Sequence, residues 1–399
     1  GELILAFFVY DIYYKNVGVY KFFPIKDSTL YSYYVSRNAG IDEMLEVYNQ
    51  NIETSNPQVA RYLVQFDQED INRFITNNNA TSSINFLFKN YIAYGQGYNL
   101  DTKLEIYPIS GSWDNGTGKF SDTPQTTNGV SWKFRDAEDT LQWNFSSNPY
   151  TTQSFNSTYT DEGGGVWFTG SSDGKNIEVT QSFSLRSTKD LNVDVTDIGL
   201  AWYSSSNSIG SATDIPNNGF IVKLDNTIEF NTGSATNPVS RYFSTDTNTI
   251  YPPEFVIRWN DYQDQSSGSS TTNITGSTDN FYVSLRESKP EYDQNSINKF
   301  IINVRPTYPI RTYQTASNYI TNYYLPDSSS YAIKDVDTDE FIIDFHDTYT
   351  KISRDSSTNY FNLFMNGLEP ERYYKILVKT IHNNITEIID NDLLFKVKK

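Results

Sequence analysis

The chain has 399 residues and a mass of 45.7 kDa, a length typical of two or three domains. Its 31 basic and 48 acidic residues give a formal charge of −17 and a pI near 4.5, so it lacks the basic surface that a nucleic-acid-binding protein needs. It has no cysteine and two histidines, which excludes disulfides, thiol nucleophiles and cysteine-ligated zinc, and leaves the commonest general base scarce.

The hydrophobic residues are dominated by aromatic side chains, with 31 Tyr, 25 Phe and 6 Trp. Short runs of Tyr, Phe, Val and Ile alternate with clusters of Asn, Ser, Thr, Asp and Gly, which is typical of a β-sandwich or barrel. The composition therefore predicts an all-β fold with little helix. No segment approaches the roughly 20 apolar residues that span a bilayer, so we expect no membrane partner.

In chain order, residues 1–17 are predicted to be an N-terminal arm. Its apolar run, residues 3–10, is interpreted as a strand rather than as the end of a signal peptide, because it has no basic flank or cleavage site. Residues 18–25, 104–107 and 220–224 alternate with a period of two and predict further strands. One helix is predicted at residues 68–77, capped by Asp67.

Two polar stretches divide the chain. Residues 136–176 are predicted to be an insertion with a sharp turn at the glycines 163–165, and residues 263–279 are predicted to be a linker because they have too little apolar surface to pack. The expected domains are therefore residues 18–262 and residues 280–399.

An acidic cluster near the C-terminal third is the strongest candidate for a metal site. Asp335, Asp337 and Asp339 alternate along an extended segment, and carboxylates on one side of a strand suit calcium. The segment has neither the Gly nor the Glu of an EF-hand loop. A solvated turn is the favoured interpretation, so we predict no metal and no cofactor.

No catalytic constellation is recognisable. His382 has no nucleophile at a diagnostic spacing, and the triglycine lacks the Lys-Ser/Thr of a phosphate loop, which predicts a protein that is not an enzyme. A degraded glycan hydrolase would need two carboxylates about 5–10 Å apart facing a cleft, and the sequence does not rank its acidic pairs. Exposed Trp113 and Trp132 would form sugar-stacking platforms, whereas buried ones would belong to a sandwich core.

Several motifs follow one another in a characteristic order over the first two-thirds of the chain. They are residues 23–31, 38–40 and 45–47, the Arg-hydrophobic-Phe-Asp element at 61–67, residues 104–113 with 130–132, residues 191–196 with Trp202, residues 217–223, and residues 243–257. In this order they resemble the DNRLRE family, a carbohydrate-binding-module-like jelly-roll sandwich of microbial surface proteins and some virion proteins. The insertion at 136–176 departs from that family.

The same motifs carry expectations about individual residues. Arg61 and Asp67 are expected at the two ends of a buried strand. Asp194 or Thr196 is expected to cap a helical turn whose apolar side includes Ile198 and Trp202.

Near the C-terminus, Leu368, Pro370, Tyr374, Ile376 and Val378 fit the pattern L-x-P-x-x-x-Y-x-hydrophobic-x-hydrophobic. This segment is similar to fibronectin type III and immunoglobulin-like domains. The resemblance implies that the Tyr374 hydroxyl closes a corner against upstream backbone.

Together the two resemblances imply a jelly-roll sandwich followed by a smaller immunoglobulin-like sandwich. They suggest a non-enzymatic virion protein of a tailed bacteriophage, in the tail, neck, baseplate or head decoration, whose partners are copies of itself and other virion proteins. The alternative is an extracellular carbohydrate-binding module or adhesin on a cell surface, with glycan contacts at Trp113 and Trp132.

Overall fold

The computed structural model describes most of the chain. The described residues are 18–50, 58–78, 80, 83–98, 102–143, 151–152, 163–172, 175–184, 186–207, 215–229, 231, 238–266, 271–273, 281–308, 322–382 and 384–399. The strand expected at residues 3–10 and a large part of the insertion at 136–176 lie outside them. The predicted all-β class is confirmed, because the fold is a β-sandwich type with 47% strand and 10% helix.

The chain divides into two compact units. The larger unit consists of Phe22–Phe74 and Asn85–Val256, and the described part of the smaller unit lies in residues 18–21, 75–84 and 257–399. Both units are therefore assembled from separated parts of the sequence. This division differs from the sequence-based expectation, in which each domain was one continuous segment, residues 18–262 and residues 280–399.

The first elements of the chain build the larger unit, except that residues 19–21, 75–78 and 257–258 among them belong to the smaller unit. They are β1 Val19–Phe22, β2 Pro24–Tyr31, β3 Met44–Gln50, β4 Gln58–Phe66, α1 Gln68–Asn78, β5 Asn85–Asn90, β6 Ile92–Gln96, β7 Lys103–Pro108, β8 Phe134–Asp136, β9 Leu141–Gln142, β10 Thr151–Thr152, β11 Trp167–Phe168, β12 Ser171–Ser172, β13 Lys175–Asn176, β14 Val179–Ser182, β15 Leu191–Asp194, α2 Thr196–Ser206, β16 Phe220–Leu224, α3 Asn226–Glu229, β17 Val239–Phe243 and β18 Glu254–Arg258.

The main sheet of the larger unit runs in the order β14-β7-β16-β4-β3-β17-β6, with β2 also paired to β4. A second sheet places β5 between β15 and β18. Aromatic rings fill the space between the two sheets: Phe88 of β5 stacks on Phe220 of β16 at 4.9 Å, and Phe255 of β18 lies 5.3 Å from Phe66 of β4. These rings explain the aromatic-rich composition, because each fills a large part of the core.

The later elements build the smaller unit. They are β19 Thr271–Asn273, β20 Phe281–Arg286, β21 Glu291–Asp293, β22 Ile297–Pro306, β23 Asn322–Tyr324, β24 Ser330–Asp335, β25 Phe341–Ile343, β26 Ser353–Arg354, β27 Asn359–Phe364, a 3₁₀ turn Met365–Gly367, β28 Tyr373–His382 and β29 Ile385–Lys398.

Two sheets of the smaller unit face each other. Their strand orders are β20-β22-β27-β26 and β21-β29-β28-β24-β25. Phe361 of β27 stacks on Tyr331 of β24 at 3.9 Å, and Phe300 of β22 lies 5.3 Å from Phe395 of β29. Strand β19 pairs in parallel with β23, so part of the predicted linker 263–279 belongs to a sheet.

Candidate functional site

The two tryptophans that would contact glycans under the alternative function lie in the core of the larger unit. Trp113 is 4% exposed and Trp132 is 7% exposed. The indole Nε1 of Trp113 donates a hydrogen bond to the Asn218 carbonyl at 2.9 Å, and the Lys26 ammonium lies 4.4 Å from the ring centre. Neither ring offers the open face that stacking on a sugar requires.

The interior beside Trp132 holds a charged side chain. The Arg61 guanidinium lies 4.9 Å from the Trp132 ring centre and 5.4 Å from that of Trp167. It also donates to the Gly164 carbonyl at 2.7 Å, and Gly164 itself donates to the Trp132 carbonyl. The chain bends at Gly164 where a sharp turn was predicted, Gly163, Gly164 and Gly165 all have positive φ, and a Cβ at Gly163 would lie 2.2 Å from the Trp132 oxygen.

Arg61 belongs to a buried ionic network. Its Nε and Nη2 donate to the two Glu229 carboxylate oxygens at 2.7 and 3.0 Å. Lys223 lies 3.4 Å from Glu229 and 2.9 Å from Glu105. The expectation that Arg61 ends its strand was wrong, because Arg61 is fully buried within β4 and its charge is balanced by Glu229.

The network joins two cations, Arg61 and Lys223, to the carboxylates of Glu229 and Glu105. Burial raises the pKa of Glu105, the neighbouring Lys223 opposes that effect, and the carboxylate of Asp225 beside Glu105 adds to the rise. Lys223 also donates to the Asn226 side chain at 2.8 Å. Such a buried and internally satisfied arrangement positions strands rather than a ligand.

The three aspartates proposed for calcium are committed to ion pairs. Asp335 is buried and accepts two hydrogen bonds from Arg372, at 2.6 and 2.8 Å, and backbone hydrogen bonds from Asp337 and Thr338. Asp337 lies 3.8 Å from Arg372, whereas Asp339 turns to Lys334. Within the described ranges, no group of three or more His, Asp or Glu side chains forms a possible metal site.

An open groove on the larger unit combines aromatic and acidic side chains, and we call it the tyrosine groove. Its volume is about 490 Å³. It is lined by Tyr31, Tyr34, Asp42, Glu43, Met44, Glu46, Tyr48, Gln50, Gln58, Phe120, Ser121 and Arg241. Residues 44, 46, 48 and 50 alternate along β3 and therefore lie on one face of that strand. This face forms one wall of the groove.

The carboxylates of the tyrosine groove differ in their partners. Glu46 pairs with Arg241 at 2.6 Å and Glu43 pairs with Lys119 at 2.5 Å. Asp42 accepts hydrogen bonds from the Phe120 amide at 3.1 Å and, among the described residues, forms no ion pair. Burial raises the pKa of Asp42 to about 6, although the Phe120 hydrogen bond opposes the rise.

A second exposed feature is the end of the β28–β29 hairpin, residues 380–388, which we call the hairpin tip. Strand β24 pairs with β28 from Tyr374 to Lys379 and stops there. The edge of β29 that faces away from β28 pairs with β21 at Lys396–Lys398. Along residues 385–394, none of the described strands pairs with that edge. The hairpin tip is therefore a two-stranded ribbon with an open edge.

The hairpin tip also exposes two isoleucines. Ile385 is 61% exposed and Ile388 is 57% exposed, and Ile381 is half-buried. Sequence reasoning missed both this ribbon and the tyrosine groove. The signal for the ribbon was the group of isoleucines at 381, 385, 388 and 389, and the signal for the groove was the alternation along β3.

Comparison with known proteins adds no relative. No protein-family model matches the chain, and neither the curated proteins nor the solved structures yield a match. The resemblances stated above stay predictions. Among the described helices, none is long and apolar enough to cross a membrane.

Proposed function

We propose that this chain is a non-enzymatic structural protein of a tailed-bacteriophage virion, which acts through interfaces with copies of itself and with other virion proteins. The hairpin tip carries the proposal. It combines exposed isoleucines with an open strand edge, and both features gain free energy when another protein covers them.

The physical argument rests on the instability of isolated ribbons. A two-stranded hairpin in water is marginally stable, and additional strands or a packed face stabilise it. Ile385 and Ile388 lie on opposite faces of the ribbon, so a partner on either face removes one exposed isoleucine from water, and backbone pairing along β29 adds directional hydrogen bonds. A symmetric contact between two copies would bring two such ribbons together.

The alternative, a carbohydrate-binding module or adhesin, depended on Trp113 and Trp132. Both rings pack in the core, so replacing either by Ala would disturb folding before it tested sugar binding. We do not propose a glycan role for these two residues.

The experiment replaces Ile385 and Ile388 together by Asp and measures molecular mass by sedimentation over a wide concentration range. We expect the original chain to form larger species and the variant to remain monomeric, because a contact on either face would have to bury one of the new carboxylates. Ile25→Asp is the matched control, since Ile25 is 59% exposed on β2 of the larger unit. Equal masses for all three chains would reject the assembly role of the hairpin tip.

A further inference from the structure

We propose that His346 is a pH-sensitive switch, which keeps the turn at residues 346–350 closed while its imidazole is neutral and opens the turn in mild acid. We call residues 346–350 the histidine turn. The inference is independent of the proposed assembly role. It rests on the hydrogen bonds that the imidazole accepts, on two aspartate turns of the same unit, and on the contacts of the histidine turn with its neighbours.

The imidazole of His346 is a hydrogen-bond acceptor inside the turn. Its Nδ1 accepts the amide of Thr348 at 3.1 Å and the amide of Tyr349 at 3.3 Å. A ring nitrogen that accepts carries no proton, so the neutral imidazole is the tautomer protonated at Nε2. A second proton must therefore bind at Nδ1, where it would face the two amide hydrogens. Protonation of the ring and closure of the turn are incompatible.

Two aspartate turns of the smaller unit use the same pattern with a carboxylate. The Oδ1 atom of Asp355 accepts the amides two and three residues later at 2.9 and 2.7 Å, and Oδ1 of Asp335 does the same at 2.8 and 3.0 Å. A carboxylate keeps its charge down to about pH 4, whereas an imidazole gains a proton near about pH 6.5. Of these three turns, the histidine turn is the one whose acceptor is lost in mild acid.

The surroundings of His346 favour its neutral form. Burial is the largest cause that lowers the pKa of His346, and Arg258 of β18 lowers it further. Asp347 raises this pKa and Lys379 of β28 lowers it, and these two side chains pair with each other at 3.1 Å. The Tyr349 ring stacks on the imidazole at 4.4 Å. Because the pKa is lower in the closed turn, the closed state loses stability as the pH falls through that range.

The histidine turn is joined to other parts of the smaller unit. The Thr350 hydroxyl accepts the His346 amide at 2.8 Å, and the Thr350 carbonyl accepts the Tyr331 amide of β24 at 2.9 Å. Gly18 approaches the turn so closely that a Cβ on it would lie 2.1 Å from the Tyr349 carbonyl oxygen. Opening of the turn would therefore loosen its contacts with Gly18 and with the beginning of β24.

A second titratable group near the turn has the opposite pH dependence. The same Cβ on Gly18 would lie 3.2 Å from an oxygen of Asp261. Burial raises the pKa of Asp261 to about 7, although a backbone hydrogen bond opposes the rise. The folded state therefore binds a proton at Asp261 more readily than the unfolded chain does, and this group gains stability in mild acid. A loss of the turn in mild acid points to His346 and not to Asp261.

The first test uses the original chain. Long-range proton–nitrogen NMR spectra report the tautomer and the pKa of each of its two histidines. His346 is identified by the signal missing from His346→Asn, or by the one retained in His382→Asn. We expect His346 to be protonated at Nε2 when neutral, with a pKa below the usual value of about 6.5. Protonation at Nδ1 in the neutral form, or a pKa at or above about 6.5, would overturn the proposal.

The second test measures amide hydrogen exchange in the turn, corrected for the intrinsic effect of pH. Protection of the Thr348 and Tyr349 amides should fall between about pH 7.5 and about pH 5. The limiting loss is about tenfold for each unit by which the pKa of His346 is lower in the closed turn than in the open turn. Protection that is equal at the two pH values would contradict the proposal.

A variant and an internal control identify the cause of this loss. In His346→Asn, the side-chain oxygen can accept the same two amides and does not titrate, so protection should persist at both pH values. The Asp355 turn is the internal control and should also keep its protection. An equal loss in the Asp355 turn, or in folded His346→Asn, would assign the effect to other groups and overturn the proposal.

Discussion

At the scale of single residues, the burial of Arg61 could not be predicted from the sequence. A lone Arg in an apolar strand is expected near the surface, yet this one is fully buried because Glu229, 168 residues later, accepts hydrogen bonds from two of its three guanidinium nitrogens. No local pattern links the two positions. Local features were more predictable, since Tyr374 donates to the Glu369 carbonyl at 3.0 Å, as the resemblance implied.

Replacing Arg61 by Met is therefore expected to lower the free energy of unfolding by about 3–5 kcal/mol, because it leaves the carboxylates of Glu229 and Glu105 with one cation, Lys223. Unfolding in urea, followed by tryptophan fluorescence, measures the change.

A double variant and a surface control test the reason for this loss. Removing Glu229 as well, in Arg61→Met with Glu229→Leu, removes the buried carboxylate that lost its Arg partner and should be less destabilising than Arg61→Met alone. Arg241→Met breaks the exposed pair with Glu46 and should cost at most about 1 kcal/mol. A double variant as unstable as the sum of its single changes would contradict the charge-balance argument.

At the scale of elements, strong local patterns were read correctly. The helix predicted at 68–77 is α1, Gln68–Asn78, and the Asp67 carboxylate accepts the Glu69 amide as its cap. The strand predicted at 220–224 is β16 without change. The run at 18–25 is instead two strands separated at Phe23, because the two belong to different sheets, with β2 paired to β4 in the main sheet and β1 outside that sheet.

The cap of α2 was predicted less well. Val195 occupies the N-cap and makes no side-chain capping bond, while Asp194 accepts the Thr196 amide and Thr196 accepts the Phe86 amide. The predicted burial of Ile198 and Trp202 is confirmed. The Thr196 hydroxyl, which was predicted to cap the helix, instead accepts a hydrogen bond from the backbone of β5.

The turn after β24 was interpreted as a solvated turn rather than a metal site. Asp335 is instead buried and paired with Arg372, which the sequence did not reveal because Arg372 lies in a distant segment. Burial raises the pKa of Asp335, but hydrogen bonds from Arg372 and from the amides of Thr338 and Asp337 outweigh it, so the pKa lies below its usual range. The pairing therefore stabilises the folded state at neutral pH and is lost in acid.

We expect Asp335→Asn to lower the free energy of unfolding by about 1–3 kcal/mol near pH 7, and calcium to leave the Tm of both chains unchanged. Thermal unfolding with calcium or with a chelator measures both effects. The exposed Asp339→Asn is the control and should be nearly neutral. A Tm that calcium raises in the original chain but not in Asp335→Asn would instead establish a metal site.

At the scale of the whole molecule, composition predicted the class of fold but not its division into units. Aromatic residues fill both cores, as the 31 Tyr and 25 Phe indicated. The smaller unit, however, includes residues 18–21 and 75–84 from the first part of the sequence. The domain prediction divided the chain at the polar segment 263–279, and such a division cannot assign residues 18–21 and 75–84 to the C-terminal unit.

The net charge of −17 makes a prediction about assembly. Copies of the chain repel one another at low ionic strength, where the screening length is about 30 Å, and less at 0.1 M salt, where it is about 10 Å. If the apolar hairpin tip holds copies together, added sodium chloride should increase the sedimenting mass. Dissociation by salt would indicate that charged contacts dominate, and the Ile385→Asp, Ile388→Asp chain should show no salt-dependent assembly.

Strand β29 has a mechanical consequence. At Lys396 it lies between β21, which runs parallel to it, and β28, which runs antiparallel, and from there to Lys398 it stays paired with β21. A pulling force along this strand would act at right angles to the hydrogen bonds on both of its sides. Several of these hydrogen bonds would then have to break at the same time. A pull across the hairpin tip would instead open its rungs one after another, and the same strand would thus resist force at one end and yield at the other.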